Sequence, residues 1–442
     1  LPPASGMARP RRPVAGEGRK LPISGLSIRP PVRYTVYINH PWGSSKVMSQ
    51  HAEFGRIGRY HLQNESYGIA AFFFHRALLY DTTDGNAWNG FILSIGLMRR
   101  ENDMQTALAR YALQEGVPYD KDLMTFAMMS FQQSPFALAA WIRALSDKSG
   151  IPEPEKETLV KIADEMDEVN RKLTEEHGEQ KLRAQGMFRL EEYAARPMEL
   201  DMVAKEPTET VYKQIESWLG DPQTALSGVR LLCMIPDLRS EKMLRRVCRN
   251  ERMDGKTVTQ ALLALRWLGV RGNARLQKKG QAYIINLDNP QPELTITVPN
   301  VFRPALDRMK LWMAKQQGFV AVEAYEEFAS TDDPALPPEL AEQVEKADIP
   351  GPLQEVVHTL IRAAYDLNYP QVPTEIEGAR KWSGAFLLLA KDYTEGIGEK
   401  WNYGEPEKDE MVIRHYNWLL TGTPDFYKTV HATRRLRAQL GI

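Results

Sequence analysis

The chain has 442 residues, 43% of them hydrophobic and 26% charged, with a formal net charge of −1. That length suffices for about three domains, and a charge so near zero points neither to nucleic acid nor to an anionic membrane as partner. Its only cysteines, Cys233 and Cys248, cannot make a disulfide framework and predict a reducing, cytoplasmic setting, and no apolar run reaches the roughly 18 residues of a membrane span.

Residues 1–47 differ in composition from the rest. Eight Lys and Arg, from Arg9 to Lys46, face a single acid, Glu17, and prolines are frequent. The segment reads as a basic extension, disordered or non-native, ahead of a start at Met48. A transit peptide or a basic nucleic-acid arm is the functional alternative. No apolar stretch is followed by a small-residue cleavage site, so no secretory signal is predicted.

From Phe54 the pattern becomes periodic. Ile57, Gly58 and His61 follow, then a polar turn at Asn64 to Ser66, then Ala70, Phe74 and Ala77. Trp88 falls 34 residues after Phe54 and opens a second unit with Phe91, Ile92, Ile95, Ala107, Leu108 and Tyr111. This resembles the tetratricopeptide (TPR) repeat. The resemblance implies helical hairpins in which Gly58, Ala70 and Ala77 sit at close helix contacts and Phe54 and Phe74 fill the space between hairpins. His61 takes an aromatic position of the repeat and is expected as a packed imidazole. A third, degenerate unit runs through Leu123, Phe126, Ala127 and Phe131, with Ser134-Pro135 starting its second helix, which carries Ala137, Trp141 and Ala144. The TPR-like block is placed at 48–151.

A charged helical connector is expected over 152–207, with an apolar seam of Ile162, Met166, Val169 and Leu173. The stretch from Ala184 to Met202 should pack it onto the following block. In that block, 208–276, Asp221 aligns with Asp254 at an offset of 33 residues, Thr224 with Thr257, Gly228 with Ala261 and Leu232 with Leu265. The pattern resembles HEAT-like repeats, with each Asp as a helix N-cap. A β-hairpin insert is expected over 277–300, pairing 283–287 with 294–298. The C-terminal region, 301–442, returns to helix. Its expected helices cover 302–316, 353–367, 375–393, 407–420 and 425–440. The predicted fold class is therefore all-α, an α-solenoid of TPR-like and HEAT-like hairpins with one small β-hairpin.

No catalytic motif is present: no His-Glu-x-x-His, no phosphate-binding Gly-x-x-x-x-Gly-Lys-Ser/Thr, no Gly-x-Ser-x-Gly, no Cys-x-x-Cys. His415, near Asp409, Glu410 and Arg414, is the one histidine considered for a site. Glu323, Glu326 and Glu327, with Asp332 and Asp333, form an acidic cluster without metal-ligand spacing, and read as a solvated face. Cys233 and Cys248 read as buried thiols. No catalytic residue, metal or cofactor is assigned. The TPR resemblance implies a concave groove for a protein or peptide, lined by Arg59, Gln63, Asn86, Asn89 and Leu93, in which Asn can offer both a donor and an acceptor to a peptide backbone. The alternative basic site is Lys428, Arg434 and Arg435 on the last helix, which dipole complementation also explains. The leading functional expectation is a non-catalytic adaptor or scaffold. A peptide-sensing regulator, or a HEAT-like nucleic-acid-binding protein or enzyme, is the alternative.

Overall fold

The computed structural model describes residues 44–206, 208–331, 335–376 and 378–440. The basic extension therefore lies outside the described residues up to residue 43. The first helix begins at Ser44, four residues before the expected start at Met48.

The described chain is mostly helical. Its first half forms α1 (Ser44–Gln63), α2 (Tyr67–Tyr80), α3 (Gly85–Leu97), α4 (Glu101–Leu113), α5 (Asp122–Ser130), α6 (Pro135–Ser146), α7 (Glu153–His177), α8 (Glu179–Ala184), α9 (Leu190–Ala194) and α10 (Glu199–Lys205). Then come α11 (Thr208–Gly220), α12 (Ala225–Leu232), α13 (Leu238–Cys248), α14 (Gly255–Trp267) and a hairpin of β1 (Asn273–Lys278) and β2 (Gln281–Asn286). The chain ends with α15 (Arg303–Gln316), α16 (Val322–Ala329), α17 (Pro338–Glu345), α18 (Gly351–Asn368), α19 (Ala379–Gly396), α20 (Glu410–Leu420) and α21 (Phe426–Leu440).

Local chemistry sets several of these boundaries. Asp84, Asp237, Asp254 and Asp409 each accept backbone N–H groups of the turn that follows, capping α3, α13, α14 and α20. Asp221 does not cap, contrary to its alignment with Asp254. Its carboxylate accepts from the Gln223 N–H in the turn before α12, which starts only at Ala225. Ser134 precedes α6 without capping it, because its hydroxyl is turned to the Phe188 carbonyl at 2.7 Å.

Helices adjacent in sequence pack against each other, α1 with α2, α3 with α4, α11 with α12 and α13 with α14. One continuous apolar core runs from Ile69 to Val430, and a small satellite of Leu311, Ala314, Val320, Phe328, Leu340 and Val344 lies under α15–α17. Ile69, Ala70, Phe74, Ala77, Trp88, Phe91, Ile92 and Ile95 are all buried.

Three expectations are corrected. The seam of α7 is rotated: Leu159, Ala163 and Asn170 are buried against α6, while Ile162 and Val169 are exposed. Small Ala163 allows close approach, and Asn170 donates to the Pro135 carbonyl at 3.2 Å. The stretch after α8 folds back onto the preceding block, with α9 against α4 and α6. The sheet pairs β1 with β2, in the register Asn273↔Asn286 to Lys278↔Gln281, and residues 294–298 form no strand. The two-residue turn has positive φ at both Lys279 (49°) and Gly280 (74°), the geometry that matches strand twist. The 292–297 segment is fastened to α18 by side chains instead of a ladder. Tyr365 and Tyr369 hydroxyls donate to the Glu293 and Pro292 carbonyls at 2.8 and 3.1 Å, and Arg362 donates to the Thr295 and Thr297 carbonyls.

Candidate functional site

The expected groove residues lie on α1 and α3, and glycines bring these helices together. The Phe74 ring of α2 is fully buried between them. A Cβ at Gly58 would lie 2.9 Å from the ring, and one at Gly90 would lie 2.3 Å from it. α1 and α3 therefore reach each other over α2, and their outer faces carry Arg59, Gln63 and Asn86, all exposed, with Asn89 and Leu93 half-buried. Arg59 makes no ion pair among the described residues. Asn89 is already engaged: its amide donates to Asp120 at 2.6 Å, in the loop before α5. That leaves its carbonyl, and not both groups, for a ligand. Trp88 is buried, donates to the Thr82 carbonyl at 2.9 Å and meets Tyr111 edge-on.

A cavity of about 330 Å³ opens between α2, α4 and the α9–α10 segment. Its wall includes Leu78, Trp88, Phe91, Leu113 and Met198. At its edge Asp201 is bound from three sides. His75 Nε2 lies 3.3 Å from Oδ1, Arg110 donates to both oxygens at 3.3 and 3.0 Å, and the Met198 N–H donates to Oδ2 at 3.1 Å. Burial pushes the pKa of this carboxyl up, but the hydrogen bonds from His75 and Arg110 outweigh burial and hold it well below the ordinary carboxylate range. Four contacts saturate the carboxylate, so it acts as a lock joining α10 to α2 and α4. No local sequence signal marks this cluster, because its members lie 126 and 91 residues apart.

The alternative basic site is dispersed. Lys428 pairs with Asp425 at 2.7 Å, whereas Arg434 and Arg435 are exposed on α21. Nearby Arg437 pairs with Glu399 at 2.6 Å.

His415 stacks on Trp382 at 4.0 Å, and its Nε2 is buried without a hydrogen-bond partner. Burial, and then Arg414, lower its affinity for a proton. Asp409 is directed elsewhere, capping α20 and pairing with Lys381. The acidic cluster gathers no metal set among the described residues. Glu326 faces Lys315 at 3.7 Å, and Asp332 and Asp333 lie outside those residues. Cys233 and Cys248 are free and buried, and burial pushes both thiols up to about 12. Among the described residues no helix is long and apolar enough to cross a membrane.

Compared with protein-family models, curated proteins and solved structures, the chain matches none.

Proposed function

We propose that the protein is a non-catalytic adaptor that holds an extended peptide or partner segment against α1 and α3. In this reading residues 48–151 are a TPR-like array and 208–276 a HEAT-like array, together an α-solenoid in a reducing, cytoplasmic setting. One observation carries the reading: the wedge of Phe74 between Gly58 and Gly90 sets two helices side by side with Arg59, Gln63 and Asn86 turned outward. An unpaired guanidinium beside amide side chains suits a peptide backbone and an acidic side chain or terminal carboxylate.

The test is a displayed random peptide library selected on the purified chain, followed by titration of a selected peptide. Arg59→Ala with Asn86→Ala should weaken binding while the melting curve stays in place, since both side chains are exposed. Each lost hydrogen bond costs about 0.5–1.5 kcal/mol, more where charged, so the pair should lose about tenfold to a hundredfold. Undiminished binding by this variant, with loss on Arg434→Ala and Arg435→Ala, would move the site to α21.

A further inference from the structure

A net charge of −1 conceals a concentrated basic region. Between Arg239 and Lys279 the sequence holds twelve Lys or Arg against three acids, Glu241, Glu251 and Asp254. The fold spreads these charges unevenly. α13 buries Met243, Leu244, Val247 and Cys248 and exposes Lys242 and Arg246, and Arg249, the residue that ends the helix, is exposed as well, so the three cations fall at i, i+4 and i+7. Arg252 is exposed just beyond its end. β1 lies alongside α13, joined by Arg245 donating to the Asn273 carbonyl at 3.3 Å and Gln277 donating to Glu251 at 2.9 Å. The outward residues of β1 include exposed Arg275, paired across the hairpin with exposed Ile284.

These cations are available. Lys242, Arg246, Arg249, Arg252 and Arg275 make no ion pair among the described residues, and Arg249 donates only to the Arg245 carbonyl. The acids around them are already used. Glu241 pairs with Arg245 at 2.7 Å, Glu209 and Glu216 of α11 pair with Arg239 at 2.8 and 3.2 Å, and Asp237 and Asp254 cap helices. Glu251 accepts from Gln277.

We propose that the outward faces of α13 and β1 bind the phosphate backbone of a double-stranded nucleic acid, with Lys242, Arg246, Arg249, Arg252 and Arg275 as the phosphate contacts. Charge complementarity carries the assignment. Three cations on one helix face span about 10 Å of axis, the scale of neighbouring phosphates on a duplex. A single strand is disfavoured because the patch offers its bases no stacking surface. Trp267 and Tyr212 are buried, and half-buried Tyr283 pairs with buried Leu276, on the face of the hairpin opposite to Arg275. An anionic membrane is disfavoured because the apolar face of α13 is committed to the core and cannot insert. The proposal does not depend on the peptide reading.

The test measures binding of the full chain to fluorescent duplex DNA and duplex RNA of about 20 base pairs, the length of a short defined site. Single strands of the same sequence, phosphatidylserine vesicles and polyglutamate as competitor complete the set. For these five phosphate contacts, log K against log salt should fall with a slope of about −4.5. Lys242→Gln, Arg246→Gln and Arg249→Gln together should bring that slope to about −2, the share of the two cations that remain. Arg275→Gln alone should reduce its magnitude by about 1, which keeps the test informative if the triple variant misfolds. Both variants should keep the native circular dichroism. Binding to either duplex with this salt dependence supports the assignment. No duplex binding at low salt, a single strand or vesicle bound as tightly, polyglutamate competing equally at matched charge, or slopes unchanged in folded variants would each overturn it.

Discussion

Phe74 and Gly90 are in contact so close that residue 90 has room for a hydrogen and nothing larger. A Cβ there would stand 2.3 Å from the ring tip, and the ring is fully buried. This contact joins α2 to α3 and gives a test in which the sign of the effect decides.

Replacing a mid-helix glycine by alanine normally stabilises by about 0.5–1 kcal/mol. Gly90→Ala should do the reverse and cost about 1–3 kcal/mol through overpacking. Gly55→Ala in α1, where the nearest atom is an Arg59 nitrogen at 3.7 Å, should show the ordinary gain. Ala70→Leu, at a fully buried position of α2, should also cost about 1–3 kcal/mol. Urea unfolding of the three variants reads all of these, and a stabilised Gly90→Ala would mean that the helices part easily there.

Asp201 should be a strong stability residue. Asp201→Ala leaves Arg110 and His75 facing a buried gap, and breaking such a pair costs about 3 kcal/mol. Because the folded-state carboxyl is held below the ordinary range, its contribution is present above about pH 4 and fades as the pH falls further. Asp201→Asn should therefore be less stable than the parent at neutral pH and lose less on acidification. Equal acid sensitivity in the two chains would contradict the lock.

His61 is expected to make the protein less stable in mild acid. Burial, and then Arg271, lower its pKa to about 4, and the ring stacks on Phe73 at 5.9 Å with 8° between planes. As the pH falls from about 6.5 the unfolded chain takes up a proton that the folded chain refuses, so stability drops until about pH 4. The full effect is up to about 3 kcal/mol. His61→Phe should keep the stack and flatten this slope. Melting temperatures across that range would show it, and an unchanged slope would place the acid sensitivity elsewhere.

Cys233 and Cys248 should be silent to thiol reagents in the native state. Both are buried, and their thiols are pushed up to about 12, so almost no thiolate exists at neutral pH. A disulfide-exchange reagent should titrate no thiol in native buffer and two in denaturant. Fast native labelling of either would show that the α12–α13 region opens readily.

Local signals in the chain were enough for most helices. The spacing of Ala70, Phe74 and Ala77, and of Trp88, Phe91, Ile92 and Ile95, marks faces that are buried, because a helix places such residues on one side whatever packs against it. Asp254 caps α14 as its position before the apolar run implies, since a cap needs only its own next turn. Its counterpart Asp221 fails as a cap because three further residues precede α12. The seam of α7 was not legible: two faces carry apolar residues, and only close contact with α6 selects Leu159 and Ala163 over Ile162 and Val169. The second expected strand has the right β-branched composition, yet Arg362 and Tyr365 of α18, with Tyr369 just after it, satisfy its backbone instead.

What the sequence by itself determined is where helices run and which of their faces are apolar, both consequences of interactions within a few residues. Tertiary structure alone decided which distant groups meet and which charges remain free. Asp201 reaches His75 and Arg110 only because α10 folds back on α2 and α4. The basic surface of α13 and β1 is invisible in a net charge of −1, because a sum over the chain does not record that nearby acids are paired or capping while five cations face solvent. Charge acts over about 10 Å in physiological salt, so it is the local arrangement that a partner meets.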